Sequence, residues 1–126
     1  MGTFHTSCRV RQIIDRDQEL DIPQLLVDTG SEYTWIPQDE LSKIGVQREK
    51  KDVTFIMANG KLITRAVGFA ILEIGDNFTI DEVVFGEEGD LLLLGARTLE
   101  GLNLTVDSRL KKLVAAGPLP AAACQR

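Results

Sequence analysis

Ile22-Pro23-Gln24-Leu25-Leu26-Val27-Asp28-Thr29-Gly30-Ser31-Glu32-Tyr33-Thr34-Trp35-Ile36 is the stretch on which the fold turns. Leu25 to Val27 are apolar without a break, and Asp28 follows them with no spacer. Ile22 to Val27 therefore reads as a strand buried on both faces. Pro23 falls among its first residues, where a missing N–H is tolerated. Tyr33 to Ile36, aromatic and β-branched, reads as a second strand. A carboxylate abutting a buried strand is costly unless it is hydrogen-bonded or used. Thr29 brings a hydroxyl that can bond backbone, and Gly30 admits close approach of another chain or a ligand. Asp, Thr, Gly and Ser are also ordinary turn formers. A bare Asp-Thr-Gly arises by chance in about 2–3% of chains this long. Taken alone, the four residues read as a turn.

The surroundings change that balance. Pro37 to Gly45 has the marks of a short helix. Pro37 suits its first turn, Asp39 and Glu40 favour the positive end of the dipole, Leu41 and Ile44 share a face, and Gly45 can close it. Val53 to Met57 and Leu62 to Thr64 flank Ala58-Asn59-Gly60-Lys61, and Asn-Gly between apolar runs is a strong hairpin signal. Gly68 to Ile74 continues as a strand into a tight turn at Gly75-Asp76-Asn77, and Phe78, Ile80, Val83 and Val84 carry two more short strands. Glu87-Glu88-Gly89-Asp90 reads as a solvated acidic loop. After Leu91 to Leu94 and Gly95, Arg97 to Leu102 forms a second short helix, and Leu104, Val106, Leu113 and Val114 are the last strand-like residues. Upstream, Arg9 to Ile14 alternates as a strand that ends in a polar turn at Asp15 to Gln18, with Arg9, Arg11 and Arg16 on a solvated edge. The expected class is mainly β, with one or two short helices.

Composition narrows the function. The chain has 126 residues, enough for one domain with a sizeable core. A formal net charge of -5 gives no basic footprint for nucleic acid or an anionic membrane surface. No apolar run approaches the ~20 residues of a membrane-spanning helix, and the N-terminus lacks a secretory pattern. Gly2 with Thr6 matches a myristoylation pattern only superficially. Cys8 and Cys124 have no metal spacing, and no His or basic cluster lies near them in sequence to activate either thiol. The single His5 cannot build a zinc site. A cytoplasmic protein with reduced cysteines, no metal and no cofactor is the expectation.

Three apolar residues followed by Asp28-Thr29-Gly30-Ser31 resemble the catalytic loop of the aspartic proteases. Leu93-Leu94-Gly95 followed by a short helix is similar to that family's second element, and the Val53 to Gly68 hairpin occupies the place of its flap. The order spans residues 22 to about 107 and resembles the retropepsin-like group, the single-lobe retroviral type, in a prokaryotic-type form. The resemblance implies a closed β-barrel over residues 1–115, with a Pro/Ala-containing tail over 116–126.

Two carboxylates must share one proton in this chemistry, and the chain carries one Asp-Thr-Gly. The resemblance therefore implies a homodimer with one Asp28 from each subunit. It assigns Asp28, Thr29 and Gly30 to catalysis: Thr29 bonding to the partner's loop, Gly30 offering its carbonyl to substrate. Ser31, Met57, Ala58, Asn59, Gly60, Lys61 and Leu94 would hold an extended peptide or protein substrate, with Met57 to Lys61 closing over it. Val27 and Ile36 join Leu94 as pocket-wall candidates, although core is the commoner role for such residues. Glu32 and Arg97 are candidates for an ion pair. Trp35 reads as a core anchor. The flap has one glycine near its tip, Gly60, and the residue after Gly95 is Ala96 where retroviral enzymes carry Arg. These departures keep open a second reading, a catalytically silent dimerisation or peptide-binding module of the same fold.

Overall fold

A computed structural model describes residues 4–121. Eleven elements follow in order: β1 (Phe4–Arg11), β2 (Glu19–Val27), β3 (Thr34–Pro37), α1 (Gln38–Lys43), β4 (Lys50–Ile56), β5 (Leu62–Ile74), β6 (Asn77–Gly86), β7 (Leu93–Leu94), α2 (Ala96–Gly101), β8 (Leu104–Asp107) and β9 (Lys112–Ala115). Seven strands form one sheet in the order β1-β2-β7-β3-β6-β5-β4. β1 then returns to pair antiparallel with β5 through Arg9–Glu73, Val10–Leu72 and Arg11–Ile71, which closes the sheet into a ring. β8 and β9 form a separate two-stranded sheet. The architecture is mainly β with two short helices, as a retropepsin-like fold requires.

Burial alternates along the strands that wall the ring. In β1 the side chains of Cys8 and Val10 point to the core while Arg9 and Arg11 point outward. Val10, Leu25, Ile36, Leu72, Phe85 and Leu94 meet at its centre, and Leu41 of α1 and Leu99 of α2 close over the ends. Burial pushes the Cys8 thiol up to about 12, so it packs as a small apolar group. Cys124 and Gly2 lie outside the described residues.

Several expectations need correction. β1 ends at Arg11: Gln12 N–H donates to Gln18 O at 2.9 Å to close the following turn, and Ile14 is 89% exposed. β2 is not buried on both faces. Its partner β7 reaches only Leu26 and Val27, so the upstream part is an outer strand with Pro23 and Gln24 in solvent. Pro23 is not an end residue but lies mid-strand at a bulge, where Pro23 and Gln24 together oppose Ser7 and no ladder donor is required. Phe78 to Val84 belong to one continuous strand, β6. The arginines are not merely solvated: Arg9 pairs across the ladder with Asp21 at 2.9 Å, and Arg11 with Glu73 at 3.0 Å.

The two hairpin turns follow from their glycines. Gly75 at φ +60° lets β5 turn into β6 within two residues. At the β4–β5 tip, Gly60 at φ +84° ends a turn in which its N–H donates to Met57 O at 2.8 Å. Asn59 has no positive φ among the described residues, so the tip is the longer loop type rather than the two-residue Asn-Gly turn.

The acidic loop after β6 is built inward. Gly89 at φ +91° turns the chain back, and Asp90 meets Arg65 of β5 in a two-pronged pair, Nε–Oδ2 2.7 Å and Nη2–Oδ1 2.8 Å. The Asp90 side chain is 9% exposed. Arg65, helped by the Glu87 N–H, holds its carboxyl below the usual carboxylate range. A depressed native value contributes stability that is complete above the ordinary carboxylate value, about 4, and is lost as pH falls through the lower native value. Asp90→Asn is expected to lower the unfolding free energy by about 2 kcal/mol at pH 6. In denaturant titrations that deficit should shrink as pH drops below about 4; a deficit constant down to pH 2.5 would show that charge plays no part.

Candidate active site

β7 lies between β2 and β3, parallel to the first and antiparallel to the second. The chain leaving β2 must therefore cross the end of β7 to reach β3, and Asp28 stands at that crossing. Its N–H donates to Leu94 O at 3.1 Å, continuing the ladder by one step. The turn then folds around the carboxylate: Gly30 N–H donates to Oδ1 at 2.9 Å and the Ser31 hydroxyl donates to Oδ2 at 3.2 Å. Both oxygens are thus fixed in direction. Asp28 and Ser31 are half-buried, while Thr29 and Gly30 are exposed. Thr29 makes no side-chain hydrogen bond among the described residues.

The second element packs directly on this loop. Ala96 N–H donates to Ser31 O at 2.7 Å and Arg97 N–H to Glu32 O at 3.1 Å. The loop carbonyls thereby satisfy donors of the first turn of α2, which has no side-chain cap. A Cβ on Gly95 would lie 2.6 Å from Glu32 O and collide with Tyr33 O as well, so no larger residue fits. A buried chain of hydroxyls completes the support. Gly95 N–H donates to Thr34 Oγ1 at 2.9 Å, Thr34 and Thr98 hydroxyls meet at 2.6 Å, and Thr98 donates to Asp81 Oδ2 at 2.8 Å. The carboxylate at the end can only accept, which sets one direction for the whole chain: Thr34 donates to Thr98.

Arg97 does not pair with the Glu32 side chain. It reaches Glu82 of β6 at 3.0 Å and covers the Tyr33 ring at 4.7 Å from its centroid. Lys50 and Arg97 together hold the Glu82 carboxyl below its ordinary range. Glu32 is exposed, and only its carbonyl touches the helix.

The hairpin of β4 and β5 leans on the same region. Phe55 meets Tyr33 edge-on, with centroids 5.3 Å apart, and Trp35 at 5.1 Å. Val53, Met57 and Ile63 join them against Leu26 and Leu93, the neighbours of the Asp28 loop on β2 and β7. Met57 is therefore on the inner side of the hairpin. Ala58, Asn59, Gly60 and Lys61 are exposed and make no hydrogen bond to the Asp28 loop among the described residues. The Asn59 side chain is occupied, accepting from Lys61 N–H at 2.9 Å. Leu94 has no accessible surface, and Val27 and Ile36 are likewise buried in the main cluster. These three hold the sheet and leave no face to line a groove. Trp35 is a buried anchor. The aromatic pairing beneath the hairpin, the hydroxyl chain and the Arg65–Asp90 pair escaped the sequence reading, because their members are 17 or more residues apart.

A sequence model of the family described as "gag-polyprotein putative aspartyl protease" matches residues 22–101, well over half of the chain. The chain belongs to this family. No curated protein matches it. The matched span of this aspartyl protease-family domain runs from mid-β2 to the end of α2, so it contains the Asp28 loop, the hairpin and Gly95, and leaves out β8 and β9. Among the described residues no group of three or more His, Cys, Asp or Glu side chains is placed to hold a metal, and no helix is long and apolar enough to cross a membrane. Surface clefts of about 470 Å³ and 510 Å³ lie beside β1 and β2 and beneath α1, and neither is lined by the Asp28 loop.

Two substitutions test the supports. Thr98→Val strands both Thr34 and Asp81 and is expected to cost about 1–3 kcal/mol in thermal or denaturant unfolding. Gly95→Ala, which drives a methyl into the loop carbonyls, is expected to cost about 3 kcal/mol or to prevent folding; a variant of native stability would show that the approach is not tight.

Proposed function

We propose that the protein is an aspartic endopeptidase that works as a homodimer. The observation that carries this reading is the Asp28 carboxylate, half-exposed at the end of β2 and held at both oxygens, with one such group per chain. In the dimer, the two Asp28 carboxylates share a proton. One accepts a proton from water as the oxygen attacks the peptide carbonyl carbon, and the other donates its proton to the carbonyl oxygen. The resulting diol collapses with proton transfer to the leaving nitrogen. The exposed Thr29 hydroxyl is free to bond the opposite loop, and the Gly30 carbonyl to meet a substrate main chain. An extended peptide would lie between the loops and the hairpin, with Met57 on the inner side.

The expected result is cleavage of a diverse peptide mixture between pH 3.5 and 7, mapped by mass spectrometry, and its complete loss in Asp28→Asn. Because the mechanism needs one shared proton, cleavage should fall once pH is high enough to remove it. Peptide binding without cleavage by either form, in a protein proven folded and dimeric, would instead support a silent binding module. Molar mass in solution supplies the second check, since a monomer cannot assemble the pair.

A further inference from the structure

We propose that Asp81 is a positioning residue for the Asp28 carboxylate, acting through a single line of hydrogen bonds that ends on the Asp28 main chain. The inference rests on the endopeptidase reading above and names what holds that site in register.

From Phe78 to Asp81, β6 wears its side chains the wrong way round for stability. Phe78 and Ile80 are 58% and 54% exposed, while Thr79 and Asp81 turn toward Gly101 and Thr98 of α2. A carboxylate on the covered side of a strand is costly unless its oxygens are satisfied. Both oxygens of Asp81 accept: Oδ1 takes the Glu82 N–H at 2.7 Å and Oδ2 takes the Thr98 hydroxyl at 2.8 Å. Arg97 lies 4.0 Å from Oδ1, but its closer partner is Glu82 at 3.0 Å.

The line starts at that carboxylate. Thr98 donates to Asp81, Thr34 donates to Thr98 at 2.6 Å, and Gly95 N–H donates to Thr34 Oγ1 at 2.9 Å. Gly95 N–H and Leu94 C=O are opposite sides of one planar peptide unit. On its far side the Leu94 oxygen accepts the Asp28 N–H at 3.1 Å. Asp81 is thus joined to Asp28 through two hydroxyls and one peptide plane, with every bond pointing the same way. Aligned bonds polarise one another, and an anion at the accepting end strengthens the first of them.

Without that acceptor the line loses its direction. The Thr98 proton turns to Thr34, the Thr34 proton is left facing the Gly95 N–H, and two donors meet where an acceptor stood. The peptide unit then tilts and draws the Leu94 oxygen off the Asp28 N–H. A catalytic group must be held within about 0.5 Å of its productive position. The tilt therefore lowers turnover and leaves peptide binding, which uses other surfaces, in place.

The test uses a peptide that the native chain cleaves, at a temperature where each variant is folded. Asp81→Ala should lower kcat roughly 10-fold and leave KM within about two-fold. Thr98→Val should also lower kcat, and Thr98→Ser, which keeps the hydroxyl, should restore it. Because both residues act through one line, Asp81→Ala combined with Thr98→Val should be no slower than the worse single variant. Losses that multiply, or a loss carried by KM, would overturn the inference. Backbone amide NMR gives a readout independent of cleavage. The Gly95 and Asp28 signals should shift in Asp81→Ala, while those of Gly45, after α1, and Gly60, at the hairpin tip, stay in place. If the Gly95 and Asp28 signals do not move, the inference falls whatever the activity. If they move but the native chain cleaves nothing, the line holds and the endopeptidase reading is what fails. Should Asp81→Ala not fold, Asp81→Asn keeps the shape but sets an N–H group against one of the two donors, and the same signals decide.

Discussion

The contact between the backbone at Gly95 and the carbonyls of Glu32 and Tyr33 is the constraint from which the rest of the arrangement follows. It is made without side chains, so its tolerance is a few tenths of an ångström. It fixes where β7 ends and α2 begins, and the first N–H groups of α2 then fall on the Ser31 and Glu32 carbonyls. The loop and the helix satisfy each other: the helix needs acceptors for its opening turn, and the loop needs donors for carbonyls that face protein. Asp28 is aimed by this arrangement together with its own N–H bond to Leu94 O and the bonds its carboxylate accepts from Gly30 and Ser31.

A second layer makes the arrangement resistant to shear. The residues Thr34 and Thr98 have no exposed surface, so the Thr34 O–H depends on the Thr98 oxygen, and Thr98 in turn on Asp81, for a partner. They tie β3, α2 and β6 together at one point, and Arg97 adds an outer tie from α2 to Glu82, with Tyr33 beneath its guanidinium. The loop that carries Asp28 thus sits on three elements that cannot move independently.

What could be read in the sequence was whatever is local. A carboxylate directly after Leu25 to Val27 is a chemical discontinuity visible within four residues, and Asn59-Gly60 between apolar runs announces its hairpin in the same way. Both helices begin within a residue of the expected start, because Pro37 and Gly95 mark where they begin, and α1 ends at Lys43, two residues before Gly45. The unity of β6 was hidden. Asp81 and Glu82 interrupt its apolar pattern, and the groups that satisfy them, Thr98, Arg97 and Lys50, lie 15 to 32 residues away. Asp90 was hidden for the same reason, since its partner Arg65 is 25 residues upstream and nothing nearby in sequence distinguishes it from Glu87 or Glu88. Leu94 lies in the strand core, a position that apolar character alone does not distinguish from a groove wall.

The Arg65–Asp90 pair also sets a mechanical boundary in the hairpin. Arg65 sits three residues beyond Leu62, where β5 begins, and on the opposite strand Val53 is its ladder partner. A ribbon clamped at that level bends as a cantilever, with the free arm running from Val53 through the Gly60 tip to Arg65. Deflection of such an arm is greatest at the tip and vanishes at the clamp. Phe55 lies near the root and is held against Tyr33 and Trp35, so the stiff portion is also the portion that touches the loop region.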